Sequence, residues 1–207
     1  MTDLFITRHG ETMWNLEKRF QGFKDSPLTE NGIEKAKRLN SVVKKYGIEV
    51  IVTSPLKRAK DTALFARGDL DIPVVEMEEF KEMNLGKWEG KTLEELGKED
   101  GENLRLYWND PFKYQTRNGE SFNDVIERVN IGLIKIIEQF EGKKILLVTH
   151  GMTLMTVLHL LLKRDLNDMI KEPVRAQTGI THIKIDVMKN RLILDNDTSH
   201  FGDGDDR

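Results

Sequence analysis

Cysteine is absent from the 207-residue chain. No disulfide framework and no thiol chemistry is open to it, which is compatible with a reducing compartment. Long apolar runs are missing as well. The first, Leu4-Phe5-Ile6, is far too short for a signal peptide and is followed by charge. No stretch reaches the roughly 20 apolar residues of a membrane span. An excess of one charge is also lacking, since the formal net charge is -3 and the pI about 6.0. Neither nucleic acid nor an anionic membrane finds a basic face here, so any affinity for anions has to be local. No Pro-, Gly- or Ser-rich linker divides the chain, and no internal repeat is visible. These absences lead to the expectation of a cytoplasmic, enzyme-sized globular protein.

What is present is 38% hydrophobic and 32% charged residues, enough apolar material for a real core. The expectation is one domain over residues 1–200, with 201–207 as a flexible acidic tail. Residues 3–7, "DLFIT", read as a first strand. After a polar loop, Thr29 is placed to N-cap a helix that Gly47 stops, with Ile33, Ala36, Leu39, Val42 and Val43 on one face. Residues 48–54 form a nearly continuous apolar strand, as in a sheet buried on both sides. Ser54 and Pro55 then supply an N-cap and an N1 proline for a helix over 56–67. "IPVVEM" is a shorter third strand. The pattern weakens from 78 to 118, which holds a helix at "TLEELGKED" and an aromatic polar stretch. Ser121 with Asp124 opens a helix, residues 143–151 form a fourth strand before an apolar helix, and "THIKIDV" with "RLILDN" closes the sheet. Alternating strands and helices predict an α/β fold, a three-layer α/β/α sandwich around a mostly parallel sheet.

In open sheets of this kind the working site lies beyond the carboxyl ends of the strands. Three of the clearest strands end in chemistry: Arg8-His9-Gly10, Ser54 with Lys57 and Arg58 behind it, and His150-Gly151. Cations in a first helical turn oppose the macrodipole unless an anion sits at that helix end, or unless "KRAK" simply faces water. His9 and His150 each end a strand and precede a glycine, which permits close approach. A neutral imidazole with one nitrogen bonded to a carbonyl offers the other as a nucleophile. A second imidazole, protonated, would stabilise charge on a transferring phosphoryl group. A metal site is the competing use of paired histidines, but the ligand spacings are absent and arginine neighbours would repel a divalent cation. His159, His182 and His200 read as packing or edge residues, and Trp14, Trp88 and Trp108 as packing residues.

The stretches "TRHGETMWN", "RFQGFKDSPLTENGIEKA", "TSPLKRAKDTA", "EFKEMNLGKWEG", "NGESFNDVIERV", "VTHG" and, more loosely, "NDTSHF" occur in an order that resembles the histidine phosphatase superfamily. That group includes the cofactor-dependent phosphoglycerate mutases, and the resemblance spans nearly the whole chain. It implies a phosphoglycerate mutase-like fold in which His9 is the nucleophile and carries a transient phosphohistidine. It implies further that Arg8, Arg58 and His150 complete a cationic pocket, and that Asn15, Gln21, Gly22 and Gly151 touch the phosphate or nearby substrate atoms. Glu82, by its place before "LGKWEG", would be the general acid. The residues alone do not select it from Glu76, Glu78 and Glu79. Chemically, the arginines should lower the pKa of His9, while Glu82 must hold a proton near neutral pH.

The compact middle segment is similar to the phosphatase branch, with its broad-specificity and α-ribazole phosphate phosphatases. The expectation is therefore a metal-independent phosphomonoester hydrolase that needs no cofactor. A phosphoglycerate mutase is the alternative, and a catalytically dead phosphate-binding module a further one. Residues 78–120 are expected to form a lid or variable segment, where Tyr107, Trp108, Lys113, Tyr114 and Arg117 either contact the substrate or are plain loop. The expected partner is a small phosphorylated metabolite, not nucleic acid or membrane, with room for a homodimer.

Overall fold

The computed structural model describes residues 1–186 and 188–202. β1 (Thr2–Arg8) alternates as a strand must, with Leu4 and Ile6 on one face of the sheet and Phe5 on the other. A single turn, α1 (Met13–Leu16), is closed by a capping box between Thr12 and Asn15. α2 (Glu30–Tyr46) starts where the Thr29 side chain accepts from the Gly32 amide, and ends on Gly47 at φ 63°. β2 (Val50–Thr53), α3 (Lys57–Arg67) and the short β3 (Val74–Glu76) follow. α4 (Leu93–Asn109) and α5 (Phe122–Gln139) each open on a capping box, Thr92 with Glu95 and Ser121 with Asp124. β4 (Lys144–Thr149), the apolar α6 (Gly151–Leu162), β5 (Ile180–Ile185) and β6 (Arg191–Asp197) complete the fold.

The strand order is β3-β2-β4-β1-β5-β6. The first four strands are parallel, and β5 and β6 add an antiparallel hairpin at one edge. Phe5, Ile51, Leu146 and Val148 pack with Leu39, Val43, Ala59 and Ala63 of α2 and α3. On the opposite face Leu4, Ile6, Val52 and Leu147 pack with Val129, Leu133, Leu154 and Leu158 of α5 and α6. This is the three-layer α/β/α sandwich that the sequence predicts. β1 and β4 are neighbours, yet the chain leaves β1 toward α2 and leaves β4 into α6, on opposite faces. Connections that diverge in this way open a crevice between the two carboxyl ends.

Three local expectations are corrected. Ser54 does not cap α3: Leu56 occupies the N-cap position, and the Asp25 carboxylate caps the helix from another segment through the amides of Lys57 (2.9 Å) and Arg58 (3.3 Å). α4 runs well past "TLEELGKED", bending at Asp100 (φ -147°). The Asp100 carboxylate accepts from Trp88 Nε1 and from Arg117, which ties the bend to the core. Phe201 is no part of a solvated tail, since it is buried beneath the Lys35 ammonium, 4.5 Å from the ring centre. Residues 203–207 lie outside the described residues. Among the described residues no helix is long and apolar enough to cross a membrane.

Candidate active site

Parallel register sets Arg8 opposite Thr149, and the His9 amide continues the ladder by donating to the Thr149 carbonyl (2.8 Å). His9 and His150 therefore emerge side by side at the crevice, with ring centres 5.2 Å apart. Both rings are buried. His9 Nδ1 lies 2.7 Å from the Gly10 carbonyl oxygen. A carbonyl only accepts, so Nδ1 carries the hydrogen and Nε2 keeps its lone pair. Arg58 Nε donates to that lone pair across 3.3 Å. Elsewhere on the Arg58 guanidinium, Nη1 donates to the Lys24 carbonyl and to Asp25 Oδ1 and Nη2 donates one hydrogen to the Gly22 carbonyl, each at 2.8–2.9 Å, so that four of the five N–H donors are used.

His150 rests on a different partner. Its Nε2 is 2.7 Å from Ser54 Oγ, a hydroxyl that accepts from the Leu56 amide and has its own hydrogen to donate to Nε2, while its Nδ1 is buried without a partner among the described residues. Arg8 Nε is likewise buried and unpartnered. Glu82 Oε2 and Arg8 Nε both lie over Gly151 at the start of α6, 3.6 and 3.8 Å from where a Cβ would stand. The Glu82 carboxylate meets that helix end. Its Oε1 accepts from the amides of Met83 (2.9 Å) and Thr153 (3.3 Å), and its Oε2 accepts from Met152 (3.2 Å). Positive helix ends attract carboxylates in this way.

Burial, then the charges of Arg58 and Arg8, hold His9 well below the ordinary imidazole pKa. Burial first and Arg58 second do the same to His150. Both rings are thus neutral near pH 7, which corrects the expectation of a protonated second imidazole. Burial and the neighbouring guanidinium groups disfavour a further cation here. Burial also lowers the pKa of Arg8 and Arg58, against the attraction of Glu82 and Asp25 respectively.

These groups share a cavity of about 180 Å³. Arg8, His9, Asn15, Gln21, Gly22, Arg58, Glu82 and Gly151 all line it, and the buried His150 ring lies beside that of His9. Asn15 Oδ1 accepts from the Thr12 amide and hydroxyl, and the buried Gln21 Oε1 has no partner among the described residues. Lys57 is elsewhere, paired with Asp61. The anion expected at the α3 N-terminus is the chain's own Asp25, whose carboxylate accepts from the amides of Lys57 and Arg58 and from the Arg58 guanidinium. Of the five residues singled out between 97 and 119, Tyr107 and Trp108 line the cavity; Lys113 pairs with Asp110, Tyr114 is buried against Trp88, and Arg117 is bound to Asp100. The upper walls come from Met83, Met152, Met155, Met169, Ile170 and Val174. Sequence reasoning missed these methionines, along with Glu172 at the rim. It also missed Asp25, whose only signal was its place inside a stretch that reads as a turn. Among the described residues no three His, Cys, Asp or Glu side chains gather as metal ligands.

Fold and crevice together define a class: an α/β protein that presents a buried neutral imidazole and two arginines to an incoming anion. The family model for the histidine phosphatase superfamily (branch 1) matches residues 4–198, and the chain belongs to that superfamily. Among its relatives is "Uncharacterized phosphatase PhoE" of Bacillus subtilis (strain 168), 39% identical over 151 residues that cover 73% of this chain and 72% of that protein. "Probable phosphoglycerate mutase GpmB" of Yersinia pestis (strain Pestoides F) is 34% identical over 162 residues, 78% of this chain and 75% of that one. The solved structure of YhfR from Bacillus stearothermophilus superposes with a TM-score of 0.93 at 37% identity, covering 98% of this chain and all of the other.

Proposed function

We propose that the protein is a metal-independent phosphomonoester hydrolase that acts on a small phosphorylated metabolite through a phosphohistidine at His9. The observation that carries this reading is the Nδ1 contact to the Gly10 carbonyl, which leaves the His9 Nε2 lone pair directed at the Arg58 guanidinium in the cavity floor. In the first step Nε2 attacks phosphorus and the bond to the ester oxygen breaks. The Glu82 carboxyl gives its proton to the departing oxygen. Water then attacks the phosphoryl group and gives a proton to the Glu82 carboxylate. The P–N bond breaks, its electron pair returns to Nε2, and inorganic phosphate leaves. Arg8, Arg58 and the Nδ1–H of a neutral His150 stabilise the phosphoryl oxygens as charge shifts onto them. These arginines supply the positive charge that a metal ion would otherwise bring.

Hydrolysis requires water at the phosphohistidine. The exposed Trp108 and Val174 at the cavity mouth leave it accessible, and the relation to a phosphatase supports the same direction. The relation to GpmB favours a second reading, transfer between positions of one substrate. Assay of a phosphomonoester panel that includes 3-phosphoglycerate, with and without 2,3-bisphosphoglycerate and with EDTA, separates the two. Phosphate release across the panel that survives EDTA and disappears in His9→Ala supports the hydrolase. Isomerisation with little release makes the protein a mutase, and turnover restored only by a divalent metal defeats the mechanism.

A further inference from the structure

Glu82 lies on an irregular stretch just past the 3-10 turn Glu78–Phe80, where backbone carbonyls have no helix or sheet partner of their own. One side chain of α5 takes three of them. Arg128 Nη1 donates to the carbonyls of Glu79 (2.9 Å) and Lys81 (2.8 Å), and Nη2 donates to that of Glu82 (2.9 Å). The remaining donors go to Glu120, with Nε on Oε1 at 2.6 Å and Nη2 on Oε2 at 3.0 Å. Glu120 Oε2 in turn accepts from the Asn84 amide at 2.8 Å, two residues beyond Glu82. The segment is thus gripped on both sides of Glu82, while α6 holds its carboxylate through the amides of Met152 and Thr153.

We infer that Arg128 and Glu120 are positioning residues that set the Glu82 carboxyl at the leaving oxygen. The inference rests on the proposed proton-donor role of Glu82. A planar guanidinium serves several carbonyls and a bidentate carboxylate at once, whereas a lysine ammonium offers one compact charge and cannot span them. Among the described residues this pair alone reaches the backbone at 79, 81, 82 and 84 together, with Thr153 Oγ1 a second donor to the Lys81 carbonyl. Its loss therefore moves the carboxyl without touching His9 or the arginines of the floor.

A proton donor matters in proportion to the basicity of the leaving oxygen. p-Nitrophenolate departs without a proton, but the alkoxide of glycerol 2-phosphate needs one. The experiment measures kcat and KM for both esters in the unaltered protein and in Glu82→Gln, Arg128→Lys and Glu120→Gln, with thermal midpoints to confirm folding. A misplaced catalytic group costs on the order of 100-fold, so Arg128→Lys and Glu120→Gln should lose about 10- to 100-fold more kcat/KM on the glycerol ester than on the aryl ester. That ratio reports phosphoryl transfer to His9 and not the later attack of water, which both esters share. Should Arg128→Lys fold poorly, Glu120→Gln carries the comparison alone. Equal losses on both esters, beside a selective loss in Glu82→Gln, overturn the inference and leave the role of Glu82 standing. No selective loss in Glu82→Gln overturns both.

Discussion

Arg58 Nε donates a hydrogen bond to His9 Nε2, the atom that attacks phosphorus in the proposed mechanism. In the free protein the guanidinium thus occupies the lone pair, and an arriving phosphoryl oxygen has to take over that donor before the imidazole can react. Replacing Arg58 by lysine removes the fork that serves His9, Gly22, Lys24 and Asp25 together. Loss of one such electrostatic donor costs about 100- to 1,000-fold in turnover, and we expect a fall of that order in kcat/KM of Arg58→Lys on p-nitrophenyl phosphate. A variant that keeps most of its activity would remove Arg58 from the chemistry.

Asp25 caps α3 from a distant loop and pairs with Arg58 Nη1 at 2.8 Å. Asp25→Ala should lose about 0.5–2 kcal/mol of stability through the cap alone. Asp25→Asn keeps one acceptor oxygen but sets an amino group against a donor and removes the charge beside Arg58, so it should lower the urea midpoint and also reduce turnover. If the asparagine variant matches the native enzyme in kcat/KM, the Asp25 charge does not organise Arg58.

The two imidazoles of the site make stability depend on pH. Folding lowers the pKa of His9 and His150 below the ordinary 6.5, so the unfolded chain binds more protons as the pH falls through that value. Stability should therefore be retained above about pH 6.5 and decline below it, by up to about 1.4 kcal/mol per pH unit for each imidazole. Urea midpoints measured between pH 8 and pH 5 check this, and His150→Gln should flatten the decline. A stability that rises toward pH 5 would contradict the neutral state of both rings.

Trp108 is 41% exposed and lines the cavity mouth. An aromatic contact is worth about 0.5–1.5 kcal/mol, so Trp108→Ala should raise KM for an aryl phosphate by roughly two- to tenfold while leaving kcat nearly intact. An unchanged KM would mean that the substrate body does not lean on this wall.

The fold was legible because its signals are local. A continuous apolar run such as "VIVT" has one stable setting, a strand covered on both faces, and Thr29, Thr92 and Ser121 mark helix starts by chemistry confined to one turn. Where the signal failed, a distant partner had intervened. Ser54 reads as a cap only until His150 claims its hydroxyl, and "TLEELGKED" reads as a short helix only until Tyr107 finds Trp88. The methionine walls had no signature at all, since a buried methionine in α6 looks the same whether it meets core or cavity.

From its own residues the chain determined that Arg8-His9-Gly10 and His150-Gly151 would finish adjacent types of element, because the apolar runs before them admit only buried strands. It could not determine what those residues would meet. The charge state of each imidazole, the carboxylate at the helix end and the guanidinium on the attacking nitrogen follow from burial and from contacts between segments 49 to 96 positions apart. Such energies depend on distance in space and on the exclusion of water, and neither exists until the sheet has closed.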